Sequence, residues 1–347
     1  MRFSVITGMT AGVWVLFAAS LVALTQSGWV GRVLNGSSTR LGPPLETPVR
    51  SATAAFVTPQ VLGAHAAPSG GAAPPTPAGA ARGTAGASRP SYVGVFVSEA
   101  PGEPAGVAEL SAVAALGCNI VYNYRAIDGT PAEITRYLDR AAAVGVRVIV
   151  GLDSLWGAAD EGRAVDVVRA VQSHPAVWGF GISDEKPEGP DDVSRDVPLV
   201  RARYVALKAV TAKPLLSIAV GWVEPGNERR AFLANFAGLG DAVAVDQYPI
   251  PYFAPHGIAA LMRDLPGSVE HWFIPQAFSW SSYPETARGL GYDLAKARLP
   301  TEAEMAAMGR QALSAGAAGV LYYSYFDIKS SPQQLDALKR TIAYLRS

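Results

Sequence analysis

The sequence has little cysteine and little histidine, one and four among 347 residues. The single cysteine, Cys118, excludes an intrachain disulfide and a cysteine-based structural zinc site, and its apolar neighbours predict a small core residue. No H-x-H or H-E-x-x-H pattern is present, and no G-x-S-x-G nucleophile elbow. We therefore expect no metal, no cofactor and no serine-hydrolase chemistry.

An excess of charge is also missing, because 29 basic residues balance 29 acidic ones. No dense run of Lys and Arg occurs anywhere in the chain. A nucleic-acid-binding surface needs such a basic footprint, so we expect no nucleic-acid partner.

Charged residues are absent between Arg2 and Arg32. Phe3 to about Thr25 is mainly apolar, longer than the core of a typical signal peptide and long enough to cross a bilayer. No clear A-x-A cleavage site follows. We assign residues 1–30 to a hydrophobic helix that is either an uncleaved membrane anchor or a long signal peptide. Both interpretations predict a secreted or membrane-anchored protein outside the cytoplasm; a buried soluble helix is the alternative.

Residues 31–90 contain few large apolar or charged side chains and are rich in Ala, Pro and Gly. Such a segment cannot bury enough apolar surface to offset the entropy lost on ordering. It predicts a flexible, disordered linker between the hydrophobic segment and a folded domain.

From residue 91 to residue 347, strand-like runs alternate with helical patterns. The predicted strands are Tyr92–Val97, Asn119–Tyr124, Val146–Leu152, Val177–Ile182, Leu215–Val220, Ala242–Asp246, Trp272–Phe278 and Gly319–Tyr325. Capping-box patterns begin at Thr130, Thr301 and Ser331, and Gly117, Gly145 and Gly316 stand where helices should end. Eight such units predict a (β/α)8 TIM barrel. The alternative, an open doubly wound sheet, needs a Gly-rich nucleotide turn after the first strand, which is absent.

In a barrel the site is built from the residues that follow each strand. Those positions carry carboxylates, amides and aromatic rings, which suit a sugar with its apolar C–H faces and its rim of hydroxyls. The candidate catalytic residues are Asp184, Glu185 and Asp246. The candidate substrate-binding residues are Asn123, Tyr124, Asp153, Trp156, Trp222, Tyr248, Gln276, Trp280, Tyr323 and Tyr325.

Three of these stretches resemble a known superfamily, the TIM-barrel glycoside hydrolases and related uncharacterised barrels. His174-Pro-Ala-Val-Trp-Gly-Phe with Ser183-Asp-Glu is similar to the strand-four signature, Asp246-Gln-Tyr248-Pro249 to the D-x-YP of strand six, and Gln276-Ala-Phe278 to the QAF of strand seven. The resemblance implies that Glu185 is the general acid, with a pKa raised by burial and by Asp184.

Gln276 departs from the pattern, because retaining members of the clan carry a nucleophilic glutamate at the end of strand seven. Asp246 is therefore the candidate second carboxylate, as a base for water, and a wide separation from Glu185 predicts inversion. The sequence predicts an extracytoplasmic glycoside hydrolase that cleaves a poly- or oligosaccharide. The alternatives are a non-catalytic glycan-binding barrel and unrelated chemistry on the same fold.

Overall fold

The computed structural model describes residues 92–156, 160–222 and 225–347. The predicted anchor or signal segment and the predicted linker lie outside these residues, so both stay predictions. Residues Ala87–Ser347 form one compact unit. Within the described residues no helix is long and apolar enough to cross a membrane.

Eight parallel strands form a closed barrel in which each strand pairs with its neighbours in sequence and β8 pairs with β1. The barrel confirms the predicted fold class. The strands are β1 Tyr92–Val97, β2 Ile120–Asn123, β3 Arg147–Gly151, β4 Val177–Ser183, β5 Leu215–Val220, β6 Ala242–Gln247, β7 Glu270–Pro275 and β8 Gly319–Tyr322.

Helices follow every strand and surround the barrel. They are α1 Pro104–Ala115, α2 Pro131–Ala143, α3 Glu161–Val171, α4 Val193–Lys208, α5 Asn227–Ala234, α6 Ile258–Asp264, α7 Pro284–Gly289, α8 Glu302–Ser314, α9 Tyr325–Ile328 and α10 Pro332–Arg346. The loop between β7 and α8 is long and contains helical elements of its own, namely α7 and two short 3-10 turns.

The helix ends follow the sequence signals. Thr130 and Thr301 form complete capping boxes with Glu133 and Glu304. Ser331 caps α10 only with its hydroxyl, since the Gln334 amide donates instead to the Pro300 carbonyl at 2.9 Å. The glycines predicted at helix ends have φ values of 93° at Gly117, 74° at Gly145 and 92° at Gly316, where a Cβ would be strained.

Successive side chains along a strand point alternately toward the surrounding helices and into the barrel, so they form an outer and an inner core. Val93, Val95 and Val97 of β1 belong to the outer core beneath the helices. Tyr92 instead stacks on Trp272 of β7 with 5.4 Å between ring centroids and meets Trp178 of β4 at 6.0 Å. Strands β1, β4 and β7 are not neighbours, so these rings meet inside the barrel and close its amino-terminal end.

The expectation that Cys118 is a small core residue is confirmed. Cys118 is a free thiol buried in the outer core. Gly181 leaves space on one side of β4, because a Cβ there would lie 2.0 Å from the Tyr122 hydroxyl. That hydroxyl reaches into the site described next.

Candidate active site

Two carboxyl groups meet at the carboxyl end of the barrel. Glu185 follows β4, Asp246 lies near the end of β6, and the two side chains lie close enough to influence each other's pKa. Burial and then the charge of Asp246 hold the pKa of Glu185 well above its usual value. The wide separation predicted from the sequence stays a prediction.

The two acids differ in their surroundings. Asp246 accepts a hydrogen bond from the Gly221 N–H at 3.1 Å. Burial raises the pKa of Asp246, while the Gly221 donor and the nearby Tyr248 favour its ionised form. These groups favour Glu185 as the member of the pair that keeps its proton.

The backbone at Glu185 is unusual. Its φ of 50° places a non-glycine residue in the left-handed region, the one case among the described residues. Such a conformation costs on the order of 1–3 kcal/mol and persists only where the surroundings impose it. The strained backbone holds the carboxyl group toward Asp246 instead of continuing the direction of β4.

A second pair of acids lies beside the first. The Tyr124 hydroxyl donates to Asp184 Oδ2 at 3.2 Å, and the Tyr122 hydroxyl donates to Asp153 Oδ2 at 2.5 Å. Burial raises the pKa of Asp153 to about 6. Burial, followed by the charges of Asp153 and Glu185, holds the pKa of Asp184 well above its usual value. The cluster therefore retains protons near neutral pH.

Aromatic rings border both acid pairs. Tyr323 lies 5.5 Å from Tyr248 and 6.5 Å from Tyr124 between ring centroids, so it connects the side of Asp246 with the side of Asp184. The rings of Phe96 and Phe278 pack against Tyr323 at 5.3 and 5.8 Å. The site thus combines protonated carboxyl groups with apolar ring faces.

The remaining predicted aromatics are divided between the interior and the rim. Trp280 is buried and donates from its indole nitrogen to the Tyr248 carbonyl at 3.2 Å. Trp156 is half-buried beneath the guanidinium of Arg203, 5.5 Å from its ring centroid. Trp222 is 61% exposed and its ring lies against Gly189 of the loop after β4.

Three predicted binding residues are placed elsewhere by the structure. Asn123 points to the helix layer, where its amide donates to the Tyr137 hydroxyl at 2.8 Å. Tyr325 begins α9 and packs in the outer core. Gln276 is fully buried and its amide bonds only to backbone, accepting from the Ile250 N–H and donating to the carbonyls of Ile250 and Phe278.

The sequence prediction missed other members of the site. Tyr122 is the most central of them, and the signal was available, since Tyr122 and Tyr124 must share one face of β2. Tyr283 was also missed; its hydroxyl donates to Asp327 at 2.7 Å, and its ring lies 6.3 Å from that of Tyr323 between centroids. No pattern in the loop around Tyr283 points to that contact.

His174 and His271 bond elsewhere than in this cluster. His174, just before β4, pairs with Asp139 at 3.1 Å. His271 was predicted to precede its strand but is the second residue of β7, and its ring contacts the Pro266 carbonyl at 2.8 Å. Among the described residues, no group of three or more His, Cys, Asp and Glu side chains is arranged to hold a metal ion.

The sequence matches no protein-family model and no curated protein. Its fold, however, is shared with solved carbohydrate-active barrels. Two structures of Saccharomyces cerevisiae Gas2p, one with laminaripentaose, are similar with TM-scores of 0.53 and 0.54 and 15% identity over 72% and 73% of this chain. A β-galactosidase from the psychrophilic Marinomonas ef1 has a TM-score of 0.50 at 11% identity over 73% of this chain.

The chain spans 64% and 60% of the two Gas2p chains and 59% of the β-galactosidase. At these identities the likeness establishes the fold. The chain has the TIM barrel that glycoside hydrolases also use, as the strand-four, strand-six and strand-seven motifs indicated.

Proposed function

We propose that the protein is a glycoside hydrolase that cleaves an oligo- or polysaccharide outside the cytoplasm. The observation that carries the proposal is the pair of Glu185 and Asp246 at the mouth of the barrel, in which burial and the charge of Asp246 raise the pKa of Glu185 and make it a proton donor beside a second carboxyl group. Glycoside hydrolysis needs this combination, a proton for the leaving oxygen and a second carboxylate at the anomeric carbon.

The proximity of the two groups supports direct attack by Asp246. Retaining enzymes hold their carboxyl groups about 5 Å apart, whereas inverting enzymes leave roughly 6.5–9.5 Å for a water. In the first step, an Asp246 oxygen bonds to the anomeric carbon while the glycosidic C–O bond breaks and the Glu185 proton passes to the leaving oxygen. In the second, Glu185 takes a proton from water, whose oxygen bonds to the same carbon and releases Asp246.

The surrounding groups support a sugar substrate. Tyr124, Tyr248 and Tyr323 offer ring faces to sugar C–H groups, while Asp153 and Asp184 offer acceptors for hydroxyls. The Oδ1 atom of Asp153 is buried without a hydrogen-bond partner among the described residues. A substrate hydroxyl in hydrogen-bonding range would satisfy it.

A second candidate function is glycan binding without hydrolysis. One observation favours it: Gln276 stands at the strand-seven position where the resembled clan carries its nucleophile, and its amide is occupied by backbone. Both candidate functions require glycan binding, but only the glycosidase hydrolyses the glycan. Measuring binding and hydrolysis together therefore distinguishes them.

The experiment is a reducing-sugar assay of the full chain across soluble β-glucans, galactan and mannan, with laminaripentaose as the first defined probe because Gas2p was solved with it. Hydrolysis that is lost in Glu185→Gln supports the glycosidase. Binding by calorimetry with no release of reducing ends supports the binding protein and contradicts the glycosidase.

The proposed location rests on residues 1–30, whose uncharged apolar run favours a membrane anchor or a long signal peptide. Fractionation of cells that produce the full chain tests it. An anchored protein stays in the membrane fraction after high salt and alkaline washing, and a cleaved one is found in the medium without this segment. Full-length protein in the cytoplasm contradicts both.

A further inference from the structure

A buried arginine on α4 holds the turn that follows β3. Arg203 is 2% exposed, and its guanidinium donates to the Leu155 carbonyl at 2.5 Å and to the Leu152 carbonyl at 2.8 Å. The same guanidinium lies over the ring of Trp156, 5.5 Å from its centroid. These three partners stand on both sides of Asp153, so one side chain fixes the backbone before and after that acid.

Stability alone does not explain a cation at this position. Arg203 forms an ion pair with Glu161 at 3.5 Å, but its Nε atom is buried with no hydrogen-bond partner among the described residues. A buried and incompletely paired charge commonly costs more free energy than an apolar side chain of similar volume. The position of Arg203 therefore indicates a task in the neighbouring site.

Asp153 is the member of the site that depends on this turn. Its Oδ2 atom accepts from the Tyr122 hydroxyl at 2.5 Å, and its Oδ1 atom is buried without a partner among the described residues. Burial raises the pKa of Asp153 to about 6, while the Tyr122 hydroxyl and the charge of Arg203 oppose that rise. Arg203 thus acts on Asp153 through both the backbone and the electric field.

We infer that Arg203 is a positioning residue, which holds residues 152–156 so that the Asp153 carboxyl stays beside Tyr122 and presents Oδ1 to a hydroxyl of the substrate. The inference rests on the proposed function for the identity of that substrate, a sugar. A guanidinium holds two acceptors at a fixed separation, whereas a lysine ammonium is a single point charge. Lysine in place of Arg203 should therefore keep a charge and lose the fixed turn.

The first part of the test needs no sugar. Denaturant melts of the full chain at pH 4, 5, 6, 7 and 8 compare the parent, Arg203→Met, Asp153→Asn and the double variant. Loss of the cation should raise the folded-state pKa of Asp153 by about one unit. The stability contribution of Asp153, complete below about pH 4, should then be lost over a range that extends about one pH unit higher than in the parent.

The double variant isolates this effect, because Asp153→Asn removes the titrating group and should abolish the extension. If Arg203→Met does not fold, Arg203→Lys serves in the same comparison and should give a smaller extension in the same direction. A pH range that Arg203 substitution leaves unchanged, or an extension that persists with Asp153→Asn, overturns the inference.

The second part measures hydrolysis of laminaripentaose, or of the first saccharide in the β-glucan, galactan and mannan panel that is cleaved. Arg203→Lys should raise KM about tenfold, the effect of one weakened hydrogen bond to a charged group, and change kcat less than about threefold. Arg229→Lys is the matched control, since Arg229 is 5% exposed and bonds Asp264 of α6. It should leave KM unchanged.

An equal rise in KM in both lysine variants, or a fall in kcat with KM unchanged, overturns the positioning role toward substrate. The proposed function fails in a different way. If the unsubstituted chain cleaves no saccharide, the glycosidase is removed, and the pH comparison without sugar still decides whether Arg203 positions Asp153.

Discussion

The charge of Asp246 raises the pKa of Glu185 although their strands, β4 and β6, are separated by β5 in the barrel. Glu185 also has a left-handed backbone conformation, with a φ of 50°. Backbone strain and two buried acids close together both cost stability, which disfavours this arrangement in a site with no chemical task.

Glu185→Gln should lower hydrolysis about 10²- to 10⁴-fold, because the amide keeps the shape of the side chain and removes the proton donor. The same variant should melt at a higher temperature than the parent at pH 8, because burial raises the pKa of Glu185 in the folded parent and ionisation of this group at high pH therefore favours the unfolded chain. Glu285→Gln, on an exposed side chain of α7, should change neither quantity. Near-normal activity of Glu185→Gln would remove this residue from the mechanism.

Asp153 should make the protein less stable as pH rises. Its pKa is raised to about 6 in the folded state by burial, against about 4 in an unfolded chain. Between these pH values the folded state therefore binds more protons than the unfolded state. The contribution of Asp153 to the free energy of unfolding is complete below about pH 4 and is lost as the pH rises toward 6.

Asp153→Asn should flatten that part of the stability curve, because the amide oxygen still accepts from Tyr122 and carries no ionisable proton. Denaturant melts at pH 4, 5, 6 and 7 measure it. Asp166→Asn, at an exposed position on α3, should leave the slope as it is. A parent chain whose stability rises across this interval would contradict the burial of a protonated Asp153.

The sequence predicted the barrel because its signals are local. Alternating strands, the capping boxes at Thr130 and Thr301 and the glycines at helix ends each depend on a few neighbouring residues. It predicted Glu185, Asp246 and Tyr248 as site residues because the barrel brings all strand ends together. These signals sufficed for the fold, and the barrel brings Glu185, Asp246 and Tyr248 to its carboxyl end, where the candidate site stays a prediction.

The contacts within the site could not be predicted in the same way. The left-handed turn at Glu185 has no glycine to mark it, so its approach to Asp246 was not expected. Gln276 was assigned to the substrate because it follows a strand. Its actual partners, Ile250 and Phe278, depend on the path of a loop that carries no periodic pattern.

Gln276→Glu should not create the missing nucleophile. A carboxylate at this fully buried position would face the carbonyls of Ile250 and Phe278, and both would lose their donor. We expect a loss of about 1–3 kcal/mol in the free energy of unfolding and no gain in hydrolysis. Gln333→Glu, an exposed change in the first turn of α10, is the control. A stable and more active Gln276→Glu would show that the amide is not needed for the loop.

Removal of residues 1–90 should leave a domain that unfolds cooperatively, because residues Ala87–Ser347 form a compact unit with its own core. Its melting temperature should lie within a few degrees of that of the full chain by calorimetry. A broad or absent transition would mean that the preceding residues contribute to the core.

The stereochemistry of cleavage tests the role of Asp246. Attack of Asp246 on one face of the anomeric carbon, followed by attack of water on the opposite face, inverts the carbon twice and so retains the configuration, as the proximity of Glu185 and Asp246 favours. NMR of the first-formed product should therefore show the anomer of the substrate. Asp246→Gly should be nearly inactive, and added azide should restore bond cleavage and yield a glycosyl azide of opposite configuration, because azide enters the vacated space. Azide should not restore the cleavage of a substrate with a poor leaving group by the Glu185→Gln variant, because that variant lacks the proton donor. An inverted first product would mean that the pair separates when sugar binds and that Asp246 acts on a water.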